Sequence, residues 1–286
     1  MSEAIEIDLR YQGTERAICA FADLGAGWLV DPGPELTCAQ LLAGLPDDWH
    51  PRRILLTHVH FDHAGATGRL LERWPGTEVW VHEKGAPHLI DPSRLLASAT
   101  RIWPDFGAIW GEVVPVPEAD IRVVDDAGAA FDGLRVVYTP GHASHHVTYL
   151  DEDDGTAYVG DVAGVRIGDG PTLVPSPPPD IDRELWLRSL DLVESLRPAR
   201  LAIAHFGTVA EVGPHLEEFR RQLHRWSALA REVDGAGYAE ASRREVEATT
   251  SDPPTLAAYE RGNPPDILWS GWDRYWRSRD SAPQGR

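Results

Sequence analysis

The chain has 286 residues, of which 42% are hydrophobic and 25% charged. That is enough for a sizeable core in one large domain or two small ones. Its 27 Lys and Arg against 45 Asp and Glu give a formal net charge of −18, which argues against nucleic acid or a membrane surface as partner, since both require basic patches. Cys19 and Cys38, the two cysteines, make neither a disulfide framework nor a cysteine-rich zinc site. The N-terminal MSEAIEIDLR lacks a basic region followed by an apolar run, and no stretch approaches about 18 uninterrupted apolar residues. The expectation is a cytoplasmic protein without a membrane span.

In chain order, β-like runs come first at Ala17–Phe21 and Trp28–Val30, the latter stopped by Asp31-Pro32-Gly33. Arg53–Leu56 reads as a short buried strand. It runs into a polar loop, Thr57–Asp62, and a helix from His63 to about Arg73, ended by Trp74-Pro75-Gly76. A strand is expected at Glu78–Val81. Residues 92–112 have helical spacing, with Trp103, Phe106 and Trp110 forming an aromatic stripe. Further strands are expected at Val113–Val116, Ile121–Val124, Leu134–Tyr138, Val147–Leu150 and Ala157–Val159. After the proline-rich loop Pro171–Pro179 come a helix at about Ile181–Leu196 and a strand at Leu201–Ala204. From about Val209 the pattern is helical. Leu216, Phe219, Leu223, Trp226, Leu229 and Val233 share one helix face, with Pro214 at its start and Gly235 past its end. Pro253-Pro254 and Pro264-Pro265 break the chain before a last helix carrying Trp269, Trp272 and Trp276. The pattern therefore divides into a mixed α/β unit over residues 1–208 and a helical extension over 209–286.

The segment with most chemistry is Thr57-His58-Val59-His60-Phe61-Asp62-His63. Alternate side chains of an extended loop point the same way, so His58 and His60 can converge on one cation. Asp62 and His63, where the loop turns into the helix, can face a neighbouring one. Imidazole and carboxylate suit zinc, manganese or iron. Asp62 as a helix N-cap is the bland alternative; it is compatible with ligation, and it leaves three imidazoles unexplained.

HVHFDH matches the HxHxDH signature of the metallo-β-lactamase-fold hydrolases and most resembles the hydroxyacylglutathione hydrolase (glyoxalase II) branch. Further signposts follow in family order: Leu29-Val30-Asp31-Pro32-Gly33, Thr139-Pro140-Gly141-His142, Gly160-Asp161, and His205 after a strand. The resemblance covers roughly residues 15–208. It implies an α/β fold, a four-layer αββα sandwich, with the helical extension added. It also implies two divalent cations, zinc first, with iron or manganese compatible. His58, His60 and His142 would hold the first, and Asp62, His63 and His205 the second, with Asp161 bridging. The implied reaction is attack of a metal-bridging hydroxide on the carbonyl of a thioester, ester or lactone, with Asp62 as the catalytic carboxylate orienting the attack. Two divalent ions against two carboxylates and one hydroxide leave a positive cluster, which favours a small, anionic substrate.

A persulfide dioxygenase, with one iron on the equivalents of His58, His142 and Asp161, is the alternative within the same superfamily. The residues leave other roles open. His146 divides evenly between orienting a ligand and facing water, and His145 is expected to point the other way. His82 is expected to be structural or at a pocket rim. His50, His88, His215 and His224 are expected on the surface or in helix packing, and Tyr138 in the core. Trp103, Phe106 and Trp110 favour core packing over a lid, and the C-terminal tryptophans favour helix docking. Arg220, Arg221 and Arg225 read as a solvated helix face, and no run aligns with the basic glutathione contacts of glyoxalase II. Nothing near Cys19 or Cys38 suggests an activated thiolate.

Overall fold

The computed structural model describes residues 4–281; the outermost ends of the two expected units lie outside the described residues. The first of two six-stranded sheets takes its strands in chain order: β1 (Ile5–Asp8), β2 (Cys19–Asp23), β3 (Trp28–Val30), β4 (Arg53–Leu55), β5 (Glu78–His82) and β6 (Ile121–Val124). β1 to β3 pair antiparallel, and β3 to β6 parallel. The second sheet holds β7 (Ala129–Phe131), β8 (Leu134–Tyr138), β9 (Val147–Asp151), β10 (Thr156–Gly160), β11 (Arg200–Ile203) and β12 (Gly207–Val209) in the spatial order β12-β11-β10-β9-β8-β7. Only β10 and β11 pair parallel there.

Alternation along the strands makes the layers. Cys19, Phe21, Trp28, Val30 and Leu55 face Leu134, Val136, Val147, Tyr149 and Tyr158 across the gap between the sheets. The alternate residues Ala20, Ala22, Leu29, Ile54, Val79 and Val81 face outward onto the first helical layer. That layer comprises α1 (Cys38–Ala43), α2 (Phe61–Ala64), α3 (Thr67–Arg73), α4 (Ala86–Ile90), α5 (Ser93–Ala99) and α6 (Phe106–Trp110). On the far side of the second sheet lie α7 (Arg183–Ser195), α8 (Val212–Leu229), α9 (Gly235–Glu247), α10 (Pro253–Gly262) and α11 (Pro265–Asp280). The architecture is the expected αββα sandwich with C-terminal helices. Among the described residues, no helix is long and apolar enough to cross a membrane.

Several local expectations change. Val113–Val116 is not a strand, because Pro115 and Pro117 remove the backbone donors on either side of Val116. The helical stretch 92–112 breaks into α5 and α6 around Pro104, and the helix after the histidine loop is divided near Gly65. β1, β7 and β12, all at sheet edges, were not expected; β7 and β12 are three residues long and lack a clear apolar alternation, whereas β1 alternates Ile5-Glu6-Ile7-Asp8 and could have been read. α8 stops at Leu229, so Val233 lies in the following turn. Gly235 opens α9, whose N-cap Asp234 accepts the Gly237 N–H at 2.9 Å. The two proline pairs both interrupt and start helices: Pro253 and Pro265 each stand at a first helical position, where no donor is lost.

The C-terminal helices share one core with the second sheet. Trp226, Tyr238, Tyr259 and Trp272 cluster with Val159, Trp186, Leu201 and Ile203. Trp272 is fully buried, its Nε1–H reaching the Tyr238 hydroxyl at 3.2 Å. Trp272→Ala is expected to cost about 3–5 kcal/mol and to lower the midpoint of a single urea transition followed by near- and far-ultraviolet dichroism. An early, separate loss of helix would show instead that the extension folds independently of the sheets.

Candidate metal centre

Each of the seven expected ligands follows a strand, either in the loop or turn beyond it or on the short helix that the loop leads into. β4 ends at Leu55, and its loop delivers His58 and His60 before α2 carries Asp62 and His63. His142 follows β8, Asp161 directly follows β10, and His205 follows β11 by one residue beyond Ala204. Ends of parallel strands are where open α/β sheets place ligand sites.

The structure brings all seven together. His58 Nε2 and His60 Nδ1 are 3.0 Å apart, and His142 Nε2 lies 3.2 Å and 3.0 Å from them. Tetrahedral ligands of a cation with metal–nitrogen bonds of 2.0–2.1 Å are separated by roughly 3.3 Å, so this triangle has the size of one face of such a site. The second group is His63, His205 and Asp62. Asp62 Oδ2 lies 3.8 Å from His63 Nε2 and 3.5 Å from His205 Nε2. Asp161 stands between the groups. Its Oδ2 is 3.4 Å from His142 Nε2, while its Oδ1 is 3.4 Å from His63 Nε2 and 3.5 Å from His205 Nε2. His63 Nε2 and Asp161 Oδ1 are buried without any hydrogen-bond partner, a costly arrangement unless another species satisfies them.

The chain fixes which nitrogen of each ring is free. Thr57 donates its hydroxyl to Asp31 Oδ2 at 2.6 Å and its N–H to Asp31 Oδ1 at 2.8 Å. With that hydroxyl hydrogen spent, His58 Nδ1–H donates to Thr57 Oγ1 at 3.1 Å. His63 Nδ1–H donates to Asp31 Oδ2 at 2.9 Å, His142 Nδ1–H to the Pro175 carbonyl at 2.9 Å, and His205 Nδ1–H to the Ala17 carbonyl at 2.7 Å. Four rings thus turn Nε2, the nitrogen left free to ligate, inward. His146 also belongs to the support. Its Nε2 accepts the Asp161 N–H at 3.3 Å, so its Nδ1–H donates to Thr139 Oγ1 at 3.0 Å.

Residues 25–205 match the model of the metallo-beta-lactamase superfamily. The chain belongs to the metallo-β-lactamase superfamily. A metallo-beta-lactamase fold-containing protein of Sulfurisphaera tokodaii is 29% identical over 202 residues, 68% of this chain and 75% of that protein. A hydroxyacylglutathione hydrolase of Xylella fastidiosa is 33% identical over 129 residues, 45% of this chain and only 38% of that enzyme. Among solved structures, an archaeal superfamily protein from Sulfolobus tokodaii superposes with TM-score 0.68 at 19% identity, over 96% of this chain and 99% of the other. The di-iron-bound form of TTHA1623 superposes with TM-score 0.53 at 27% identity, over 72% of this chain and 96% of the other.

In this superfamily member the two halves of the centre differ electrically. Burial, then the neighbouring imidazoles, holds His58 well below the ordinary imidazole range and brings His60 down to about 4. His63 and His205 move the other way. Burial opposes their charged form, but Asp161 and Asp62 outweigh it at both, with Asp31 adding to His63. Asp62 falls to about 2, since His63 and His205 overcome the burial that would raise it, and Asp161 falls well below the carboxylate range for the same reason. The carboxylates therefore draw positive charge into a site closed to bulk water. Divalent cations fit both the donor set and that charge, displacing the protons.

A cavity of about 290 Å³ opens over His60, Asp62 and Asp161. Contrary to expectation, His145 lines it: its Nδ1 accepts the Val59 N–H at 3.4 Å, and its ring stacks near His58 with centroids 6.2 Å apart. His88 lines it too. The aromatic stripe serves both packing and cavity. Phe106 packs edge-on against Phe61 of the histidine loop at 4.7 Å, and Trp110 stacks on Tyr11 at 5.5 Å, while Trp103 and Trp110 also form cavity wall. Trp269, Trp272 and Trp276 dock helices outside the cavity. His82 pairs with Asp126 at 3.0 Å and stacks on Tyr138, which is half-buried. His215 is buried in helix packing, its Nε2–H donating to the Ala163 carbonyl at 2.8 Å, and His50 and His224 are exposed. Arg220 and Arg221 form surface ion pairs, and Arg225 pairs with Glu245. Burial raises the thiol of Cys19 far up and that of Cys38 to about 11, which keeps both protonated.

Asp31 touches no cavity and is the residue whose role sequence reading left at a strand end. It sits at φ 44°, a conformation Asn also tolerates. Asp31→Asn is expected to leave the fold intact and to weaken metal affinity about 10–100-fold, measured by competition with a chelator. Unchanged affinity would make Asp31 merely structural.

Proposed function

We propose that the chain is a binuclear metallohydrolase that cleaves a thioester, ester or lactone. His58, His60 and His142 hold one cation, and Asp62, His63 and His205 a second, with Asp161 shared. The observation that carries this reading is the placement of Asp161, whose two oxygens face different groups of imidazoles at 3.4 to 3.5 Å. Imidazole and carboxylate donors without a thiolate suit zinc, and equally iron, the metal of the di-iron form of TTHA1623.

When bound, such cations make a water nucleophilic at neutral pH and polarise a carbonyl. The chain's own residues supply the rest. Asp62 is ionised at neutral pH and reaches the cavity with about a fifth of its side chain exposed, 22%. It accepts a hydrogen bond from the attacking water and so orients it. His145 accepts the Val59 N–H on Nδ1, so its neutral ring carries a proton on Nε2 and can donate to a group bound in the cavity it lines. In the overall reaction the water oxygen joins the acyl carbon. The acyl–oxygen or acyl–sulfur bond breaks, and the leaving group departs with a proton.

The purified protein is expected to hold about two metal equivalents and to turn over at least one member of a thioester, ester and lactone panel. Asp161→Asn should lower turnover roughly 100-fold or more and reduce metal content. One tightly bound iron, no hydrolysis, and oxygen uptake with a persulfide would replace this reading by the dioxygenase one.

A further inference from the structure

The cavity over the metal centre has more wall than hydrolysis requires. Leu95, Ile102 and Trp103, on α5 and the turn beyond it, form one apolar stretch, and Pro177–Pro179 forms another. Two arginines interrupt this lining: Arg94 on α5 and Arg261 in the last turn of α10. Both are exposed, and among the described residues neither makes an ion pair or a hydrogen bond.

The acids of the same cavity are committed elsewhere. Asp62 and Asp161 face the imidazoles, and Asp180 accepts the Ser144 hydroxyl at 2.6 Å. Arg261 is also fixed in place. The next residue, Gly262, lies so close to the Ala17 carbonyl and His205 that a Cβ would stand 2.6 Å from the Ala17 oxygen and 3.2 Å from His205 Nδ1. Asn263 lines the same wall with both side-chain amide atoms buried and unpartnered. Among the described residues this end of the cavity thus offers Arg261 no ion pair and Asn263 no hydrogen-bond partner, in a chain of net charge −18. An unpaired guanidinium beside an apolar wall suits a carboxylate on an apolar body.

We propose that the cavity selects an amphipathic carboxylate: an acyl or aryl body lies along Ile102 and Trp103, and a carboxylate remote from the scissile bond is held by Arg261 with Arg94. The choice of scissile bond rests on the hydrolytic reading above; the binding itself does not.

Decanoate and decanamide are matched probes, with calorimetric titration as readout. Each is measured on the metal-loaded protein and again after chelation, which separates capture at the arginines from capture at the metal centre. The chelated wild type is expected to bind decanoate about tenfold more tightly than decanamide. Arg261→Gln should abolish that preference while leaving decanamide affinity unchanged, and Arg94→Gln should reduce it. Trp103→Ala should weaken both probes alike. Equal affinity for acid and amide in the wild type overturns the proposal, as does failure of either probe to bind or a preference that survives Arg261→Gln. A retained preference for the acid in a protein that hydrolyses no ester or thioester would sink the hydrolytic reading alone.

Discussion

His58, His60, His63, His142 and His205 converge with Asp31, Asp62 and Asp161 at one edge of the sandwich, where five imidazoles and three carboxylates share a largely buried space. Burial disfavours the charged form of His58, His60 and His142, so these rings stay neutral, and their facing nitrogens, about 3 Å apart, can share only the proton of His60 Nδ1. The carboxylates beside them remain ionised and need positive charge within a few ångströms. Leaving an ionised carboxylate unpaired in a water-poor site costs several kcal/mol. Protonated His63 and His205 supply that charge when no cation is bound, divalent cations would supply it in their place, and this demand for balanced charge organises the surrounding structure.

Meeting it takes both sheets. Asp31 and the histidine loop come from strand ends of the first, and His142, Asp161 and His205 from strand ends of the second, so the ligands converge only once the layers have packed. The approach leaves little room. Gly160 precedes Asp161 at φ 47°, and a Cβ there would stand 2.3 Å from Thr57 Oγ1, the atom that anchors His58. Gly141, before His142, has φ 140°, and a Cβ there would lie 2.3 Å from the Trp186 Cα. At both positions glycine is what lets backbone come close enough for the next residue to reach the centre.

The histidine loop was legible from its own spacing, because alternate side chains of an extended loop face the same way, whereas the turns that carry His142, Asp161 and His205 were legible only through the family resemblance. Buried strands such as Arg53–Leu55 and Ala157–Val159 announced themselves by apolar runs, whereas β7 and β12 are three residues long and held by pairing with a neighbour rather than by their own pattern; the alternation of β1, Ile5-Glu6-Ile7-Asp8, was a signal present in the sequence. Sequence gives no access to the hydrogen bonds that set each ring's tautomer. The acceptors are the Thr57 hydroxyl oxygen, the Asp31 carboxylate and two backbone carbonyls, at Pro175 and Ala17. A carbonyl carries no residue-type signal, and Ala17 lies 188 positions from its histidine. The same holds for His145. Alternation along an extended segment would send it away from His146, but the turn after His142 is not extended, and both rings end up buried near the centre.

The boundary between what is shared with relatives and what belongs to this chain runs through the cavity itself. The superfamily model spans residues 25–205 and so contains every proposed ligand. Arg261, Asn263, Ile267 and Leu268 lie beyond it and still form cavity wall. They are held there by strong packing: α10 and α11 bury Tyr259, Leu268 and Trp272 in the core of the second sheet, and the Tyr259 hydroxyl bonds back to the Ile167 N–H and the Pro171 carbonyl. This wall is therefore anchored to that core, but it is encoded outside the residues that the superfamily model spans. A relative can keep all seven metal-directed side chains and present a different wall at this position, so shared metal chemistry does not carry shared substrate choice.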